Sequence, residues 1–242
     1  MWIAVLAGGL ASAGGETPPA DGGGLIALKA LLDEMRSVQT LSTSFRCEKR
    51  MESLDVPLLS QGRLLVARRE ERVSMRLTTE SPYFSELILA DGKSRARSQH
   101  EASWSSSDQS SRPGLTAVMV LVAGCSVGEL GNLADYFSVR PAETAAAPPS
   151  PPDPVPKTWF VLEPTNKDMA IAVREVRLGF AGPGVKSAPG IRSLTDAVIV
   201  TAQGDVTHYE FFSPAFNAAL PADAFRPVTL RPEGVFGAEV SP

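Results

Sequence analysis

The segment QGRLLVARREERVSMRLTTESPYFSELILADGK, residues 61–93, decides the fold. Val73, Met75 and Leu77 alternate with Ser74 and Arg76, a pattern typical of an antiparallel strand with one packed face and one wet face. Asp91-Gly92 near its end has the composition of a tight hairpin turn. The segment therefore predicts a β-meander. The apolar positions that share its dry face are Leu64, Val66, Val73, Met75, Leu77, Leu87 and Leu89.

The same rhythm continues in both directions along the chain. Turn signals recur at intervals of about ten residues, as in all-β folds. Gln61-Gly62 and Gly204-Asp205 also have the composition of hairpin connections. The prediction is a mainly β fold of nine to eleven antiparallel strands. The predicted strands are 42–51, 61–68, 72–79, 84–90, 94–100, 158–163, 170–179, 193–202, 205–212 and 224–230.

Two helices are predicted beside these strands. Leucines, a methionine and a valine recur at spacings of three and four from Leu25 to Val38, which gives a helix one apolar face. Residues 115–125, LTAVMVLVAGC, are apolar on nearly all sides, and a continuation to Phe137 is left open. Eleven residues are too few to span a bilayer. This second helix must therefore be covered by a sheet or lie over the opening of a barrel.

Composition excludes several classes of protein. Of the 242 residues, 43% are hydrophobic and 21% charged, which is too apolar for a disordered chain. The net charge of −4 and the absence of a basic block argue against nucleic-acid binding. The length suits one large β domain, predicted here to span 25–242.

The first residues are expected to be a targeting segment. Residues 1–13, MWIAVLAGGLASA, carry no charge, and Ala11-Ser12-Ala13 fits a signal-peptidase site with cleavage near Ala13. No basic residue precedes the apolar run, so an upstream start and a plain apolar tail remain alternatives. Residues 14–24 are predicted to be a flexible tether. Residues 144–157, in which six of the nine positions from Pro148 to Pro156 are proline, are predicted to be an exposed insertion.

No motif predicts an enzyme. His100 and His208 have no zinc-ligand spacing with each other or with the cysteines, and no nucleophile elbow or phosphate-binding loop occurs. No catalytic residue, metal or cofactor is expected. Cys47 and Cys125 are compatible with one disulfide in an oxidising compartment and equally with two buried thiols.

Arg68 stands out because it continues the dry-face parity of Leu64 and Val66. A guanidinium that points inward needs backbone carbonyls or a carboxylate as partners. The alternative is that the strand ends at Ala67 and that Arg68 opens an exposed turn. The pattern alone leaves both interpretations open.

The ordered set of motifs resembles the LolA family, the periplasmic carriers of outer-membrane lipoproteins. The matching stretches are LLDEMRSVQTLSTSFRCEKR, QGRLLVAR, LILADGK and the C-terminal GDVTHYEFFSPAFNAALPADAFRPVTLRPEGV, and the resemblance covers about residues 28–238. It implies an unclosed antiparallel β-barrel whose helices cover an apolar cavity. It also implies a periplasmic location and a role for Arg68 as the gate that holds the helical lid closed.

The chain departs from the family pattern at several positions. Ser94, Arg95 and Ala96 stand where the family usually has aromatic residues, and Arg69 replaces a proline. Aromatic residues total only 7%, which is low for a family with an aromatic-rich cavity. These differences bear on the identity of the ligand more than on the fold.

The resulting hypothesis is a monomeric carrier for the acyl chains of lipoproteins or for a related lipid. The dry-face residues named above would form the cavity wall, and an inner-membrane donor complex and an outer-membrane acceptor would be its partners. A lipid-sensing or protein-interaction module of the cell envelope and a structural envelope protein are the alternatives. The predicted inner face of the lid consists of Leu115, Val118, Met119 and Val122.

Overall fold

The protein folds around one eleven-stranded antiparallel sheet. The computed structural model describes residues 23–69, 72–98, 105–108, 115–129, 135–142, 157–182 and 192–227. The strands are β1 (Thr40–Arg50), β2 (Leu58–Arg69), β3 (Arg72–Ser81), β4 (Ser85–Ala90), β5 (Lys93–Ser98), β6 (Ser105–Asp108), β7 (Phe137–Ala142), β8 (Lys157–Pro164), β9 (Val173–Ala181), β10 (Ser193–Thr201) and β11 (Val206–Phe216). The helices are α1 (Gly23–Glu34), α2 (Leu115–Cys125) and α3 (Lys167–Ala172).

The sheet is open. Its spatial order is β6-β5-β4-β3-β2-β1-β11-β10-β9-β8-β7, so β6 and β7 stand at the two edges and the first and last strands pair in the middle. The predicted mainly β architecture of antiparallel strands that do not close into a barrel is confirmed. Asp91 and Gly92 both have positive φ, as the predicted β4–β5 turn requires, and Gly204 has φ +95° between β10 and β11.

Several predicted boundaries are wrong. Residues 170–172 complete α3 instead of starting a strand, and Phe137 begins β7 instead of ending a helix. Residues 224–227 form a turn and not a strand. The helix predicted from Leu25 begins at Gly23, inside the predicted tether, and Lys157 belongs to β8 and not to the proline-rich insertion. The remaining residues of the signal segment, the tether and the insertion lie outside the described residues.

The hairpin predicted at Gln61-Gly62 is also wrong, because Gly62 lies inside β2 at a shift of register with β3. A Cβ at this position would overlap the backbone carbonyl of Thr78 and would lie 2.9 Å from Cζ of Phe45. The glycine therefore allows close backbone approach beneath an aromatic ring, a role that glycine often has inside strands.

One face of the sheet, here called the helix face, carries the main core. Residues of α1 and α2 pack there against side chains from nearly every strand, including Phe45, Phe160 and Phe180. The predicted dry-face residues all belong to this core: Leu64, Val66, Met75, Leu77 and Leu89 are buried, and Val73 and Leu87 are partly buried against it.

The opposite face, here called the outer face, is not the uniformly wet surface that the alternation predicted. Trp159, Val198 and Val200 form a second buried cluster there. Farther along the sheet Arg76, Glu86 and Arg97 form a buried ion triad, onto which the segment after β11 folds. Within the described part of the chain, no helix has the length and hydropathy needed to cross a membrane.

Candidate functional site

The candidate site is the helix face together with the helices that cover it. Val118, Met119 and Val122 of α2 are each at most 2% exposed, and α2 lies against β3 and β9. Neighbouring residues on its other sides, such as Leu121 and Ala123, are buried too. The helix is thus covered on nearly all sides, as its composition predicted. Leu115 begins the helix, and its side chain lies outside the described residues.

The first helix closes the β7 edge of the sheet. Leu28, Leu31 and Leu32 face the core, and α1 packs along β7. The approach is close at Gly24, where a Cβ would overlap the carbonyl oxygen of Val139. Because an unpaired edge strand is open to association with other chains, this contact also protects the sheet.

The two helices form one cover. The turn after α2 reaches Gly128, whose φ is +73°. A Cβ there would lie 2.6 Å from the carbonyl oxygen of Leu32 and 2.7 Å from the carbonyl carbon of Met35. Only a residue without a side chain fits this left-handed position against the end of α1. A movement of α1 away from the sheet would therefore disturb α2 as well.

Arg68 ties this cover to the sheet. Its guanidinium donates to the carbonyl oxygen of Arg36, in the turn that follows α1, and its backbone N–H donates to the carbonyl of Gln39 at 2.8 Å. Carbonyl groups at the end of a helix carry partial negative charge, which a guanidinium stabilises. Because β2 continues to Arg69, the interpretation that the strand ends at Ala67 is wrong.

A second polar tie between α1 and its surroundings is exposed. Nε of Arg192 lies 2.9 Å from Oε2 of Glu34, whose side chain is half in water. Ion pairs of this kind contribute little to stability. The turn after α1 also accepts a hydrogen bond of 3.2 Å from Nδ2 of Asn217 at the carbonyl of Ser37. Apolar packing, the Arg68 contact and this hydrogen bond therefore hold α1 in place, as far as the described residues show.

Among the described residues, the predicted wall residues and the inner residues of α1 and α2 pack in one buried cluster. A void lined by Leu41, Leu64 and Phe211 beneath the end of α2 has a volume of only about 10 Å³. In the described structure, side chains of the covering helices therefore lie against the residues that the sequence predicted as a wall. A ligand on the helix face would have to take the place of those side chains.

Both cysteines are free, buried thiols, and the disulfide considered from the sequence is not formed. Cys47 lies in β1 between Ser60 and Tyr209, whereas Cys125 ends α2. Burial raises the pKa of the Cys47 thiol, and it raises that of Cys125 to about 12. Neither thiol is set up as a nucleophile.

A polar cluster on the outer face was not predicted. The buried carboxylate of Asp196 lies 3.0 Å from Nε2 of His208 through one oxygen and 3.0 Å from Nζ of Lys157 through the other. Burial raises the pKa of Asp196, but the contacts with His208 and Lys157 outweigh it, and the net pKa lies below the ordinary 3.8. The cluster fastens β8, β10 and β11 together. In the described segments, no group of acidic, histidine and cysteine side chains is arranged to hold a metal ion.

This cluster should make stability depend on pH in acid. Because folding lowers the pKa of Asp196, its contribution is complete above the unfolded pKa of about 3.8 and disappears as the pH falls through the lower folded-state value. Chemical denaturation between pH 6 and 2 should show wild type losing this part of its free energy of unfolding. Asp196→Asn should be less stable near neutral pH and should converge on wild type in acid. Asp55→Asn, at an exposed position, is the control, and an equal pH dependence in both variants would contradict this account.

Comparison with known proteins gives likeness of architecture alone. No protein-family model matches the chain, and no curated protein matches its sequence. Among solved structures, a DUF1329 family protein from Desulfovibrio piger is similar with a TM-score of 0.49 and 10% identity, over 82% of this chain and 94% of that one. A LolA superfamily protein from Nitrosomonas europaea is similar with a TM-score of 0.45 and 12% identity, over 84% and 97%. A putative outer membrane lipoprotein-sorting protein domain from Vibrio parahaemolyticus has a TM-score of 0.47 and 8% identity, over 82% and 95%. At these values the likeness assigns no function.

Proposed function

We propose that the protein is a carrier of the cell envelope that binds the acyl chains of lipoproteins, or of a related lipid, on the helix face of its sheet. The observation that carries the proposal is the construction of the cover. An open sheet presents a continuous apolar face, and the α1–α2 cover rests on it by apolar packing and the Arg68 contact. The lipoprotein-sorting description of one similar structure and the resemblance of the sequence to the LolA family agree with this proposal.

Exchange of a helix for a lipid would make binding reversible. Each buried CH₂ contributes about 0.8 kcal/mol, so a palmitoyl-sized chain contributes on the order of 10 kcal/mol when it leaves water. A carrier that gained all of this could not release its cargo. When an acyl chain replaces the apolar side chains of α2, however, those side chains lose their own burial. The net free energy of binding is then the small difference between two terms: the gain from burying the acyl chain and the loss from exposing the apolar side chains of α2.

The open sheet suits such an exchange. In the described strands β6 and β7 are not paired with each other, so the sheet can change its curvature without loss of a backbone hydrogen bond between described strands. The helix-face residues of β2–β4, among them Leu64 and Met75, would then form the wall that the acyl chain contacts. Methionine side chains adapt to ligands of varied shape.

The proposal also includes a step in which the protein carries acyl chains from one membrane to another. Acyl chains that must cross an aqueous compartment need a donor at one membrane and an acceptor at another. A periplasmic location, with a donor complex in the inner membrane and an acceptor in the outer membrane, is the arrangement that the resemblance implies.

Native mass spectrometry of protein purified from its own cell envelope tests the function. A co-purifying acylated peptide would support the lipoprotein carrier, and a fatty acid or phospholipid would support a carrier of a related lipid. A protein that is empty and also fails to bind a long-chain fluorescent fatty acid would contradict both forms.

Removal of the Arg68 contact should favour the open form. A hydrogen bond from a half-buried guanidinium to a carbonyl contributes about 1 kcal/mol, so Arg68→Leu should bind a fluorescent fatty acid roughly fivefold more tightly and release it more slowly. Arg63→Leu is the matched control, because Arg63 lies on the same strand with an exposed side chain. If the Arg68 variant binds and releases the probe as the control does, Arg68 is not a gate.

A further inference from the structure

Three arginine residues line one pocket on the outer face, at the end of the β2–β3 hairpin. Arg69 ends β2, Arg72 begins β3, and Arg226 belongs to the segment that follows β11. Together with Ser74 and Phe225 they line a surface pocket of about 500 Å³. Residues 70 and 71, both glutamate, lie outside the described residues.

The arginines of this pocket have no partners in the described structure. None of the three side chains makes a hydrogen bond or an ion pair with another described residue, and all three are exposed. The one carboxylate among the described lining residues is that of Asp91. The described lining therefore carries an excess of positive charge. Like charges around a concavity repel one another and attract anions into it.

The wall that carries Arg226 is fixed to the sheet. Nη1 of Arg76 donates to the carbonyl oxygen of Ala224 at 3.0 Å, and Ala224 is 3% exposed. The backbone N–H of Arg226 donates to the carbonyl of Asp223 at 2.9 Å, which closes the turn. Arg76 is itself held by Glu86 in the buried ion triad. The third arginine is thus positioned by buried contacts, although its own side chain is exposed.

We infer that this pocket, here called the arginine pocket, binds a phosphate group. Guanidinium groups match the geometry of phosphate oxygens and form two parallel hydrogen bonds with them. The hydroxyl of Ser74 supplies a further donor, and Phe225 offers an apolar surface beside the anion. The phosphate can come from a soluble anion or from the headgroup of a phospholipid. The inference does not depend on the carrier function, since the pocket lies on the outer face.

Two probes distinguish the sources. Calorimetric titration with inorganic phosphate, at constant ionic strength, measures binding of the free anion. Co-sedimentation with vesicles of phosphatidylglycerol and phosphatidylcholine, compared with vesicles of phosphatidylcholine alone, measures binding of the headgroup. Arg69→Gln/Arg72→Gln removes two groups of the pocket, and Arg226→Gln removes the third. Arg63→Gln/Arg174→Gln removes the same charge from exposed positions elsewhere in the sheet.

Each lost guanidinium should weaken binding at least roughly tenfold, because a charge-assisted hydrogen bond to the phosphate is lost with it. Selective loss of phosphate binding in the pocket variants supports a soluble anion. Binding that occurs only with phosphatidylglycerol vesicles, and is lost only in the pocket variants, supports a lipid headgroup. Equal weakening in the pocket and control variants overturns the inference, as does the absence of binding to either probe. Circular dichroism of each variant verifies that these surface changes leave the fold intact.

Discussion

Glu86→Ala should lower the free energy of unfolding by about 3–5 kcal/mol, because it removes the buried carboxylate that both Arg76 and Arg97 bond. Oε1 of Glu86 lies 2.6 Å from Nη2 of Arg76, and Oε2 accepts from Nε of Arg97 at 2.7 Å. The Glu86 side chain is 4% exposed, and those of Arg76 and Arg97 are 15% and 7% exposed. Water therefore has little access to the two guanidinium groups and cannot replace the hydrogen bonds and the negative charge of the carboxylate. Urea denaturation followed by circular dichroism measures the loss.

The matched control for Glu86 is an ion pair at the surface. Glu163 lies 3.2 Å from Nη2 of Arg140, and both side chains are about half exposed. Glu163→Ala should change the free energy of unfolding by about 1 kcal/mol or less, because water and salt screen exposed pairs. If the two variants lose the same stability, the triad is not the buried anchor that its geometry indicates.

Phe45→Ala should lower the free energy of unfolding by a similar amount, about 3–5 kcal/mol, through loss of buried area and creation of a cavity. Phe45 is 1% exposed and lies in β1, which pairs with β11 in the middle of the sheet. Its ring covers Gly62 and meets that of Tyr209 edge to face, with centroids 5.6 Å apart. Because Gly62 has no side chain, nothing from β2 can fill the space that the ring leaves.

Phe212→Ala is the control for this substitution. Phe212 lies on the adjacent strand and is 38% exposed, with the guanidinium of Arg46 stacked 5.4 Å from its ring centroid. Its truncation should cost about 1 kcal/mol or less, the contribution of an exposed cation–π contact. A long-chain fatty acid should restore part of the stability of Phe45→Ala, since apolar cavities accept apolar ligands. Equal losses in the two phenylalanine variants would contradict the central role of Phe45.

The strands of the helix face could be predicted from the sequence because their burial is a local pattern. Val73, Met75 and Leu77 alternate with Ser74 and Arg76, and this period of two indicates a strand with one buried face. The helix at 115–125 could be predicted for a similar reason, since a run of eleven almost wholly apolar residues needs cover wherever it lies. Both predictions depend only on neighbours within a few residues.

Predictions failed where residues distant in sequence decide the outcome. Gly62 has the composition of a turn, but the ring of Phe45 and the backbone of Thr78 place it inside a strand. Arg76 alternates like a residue in water, yet Ala224 lies over it. Nothing in the local pattern around β3 indicates that the chain returns to cover its outer face.

The same distinction between local patterns and contacts of distant residues applies to the candidate site. The dry-face residues followed from alternation, whereas the contact of Arg68 with the end of α1 could be inferred only through family resemblance. Gly128 is not among the residues predicted for the site, although a glycine three residues after a helix is a common signal for a left-handed turn. A glycine is also needed at this position because a side chain would overlap the backbone of Leu32 and Met35. This need depends on how α1 and α2 pack against each other, and no pattern in the sequence indicates it.

The pairing of the first strand with the last has a consequence for how the chain folds. β1–β6 and β7–β11 are each runs of sequential neighbours, so each half of the sheet can assemble from nearby residues. The seam between the halves joins groups as far apart as Thr43 and Phe212, separated by 169 residues, whose hydroxyl and carbonyl hydrogen-bond at 2.9 Å. Contacts of such long range cost loop-closure entropy before they stabilise anything, which slows folding. The β1–β11 seam is therefore where assembly should finish, and until then each half exposes a strand edge at the centre of the future sheet.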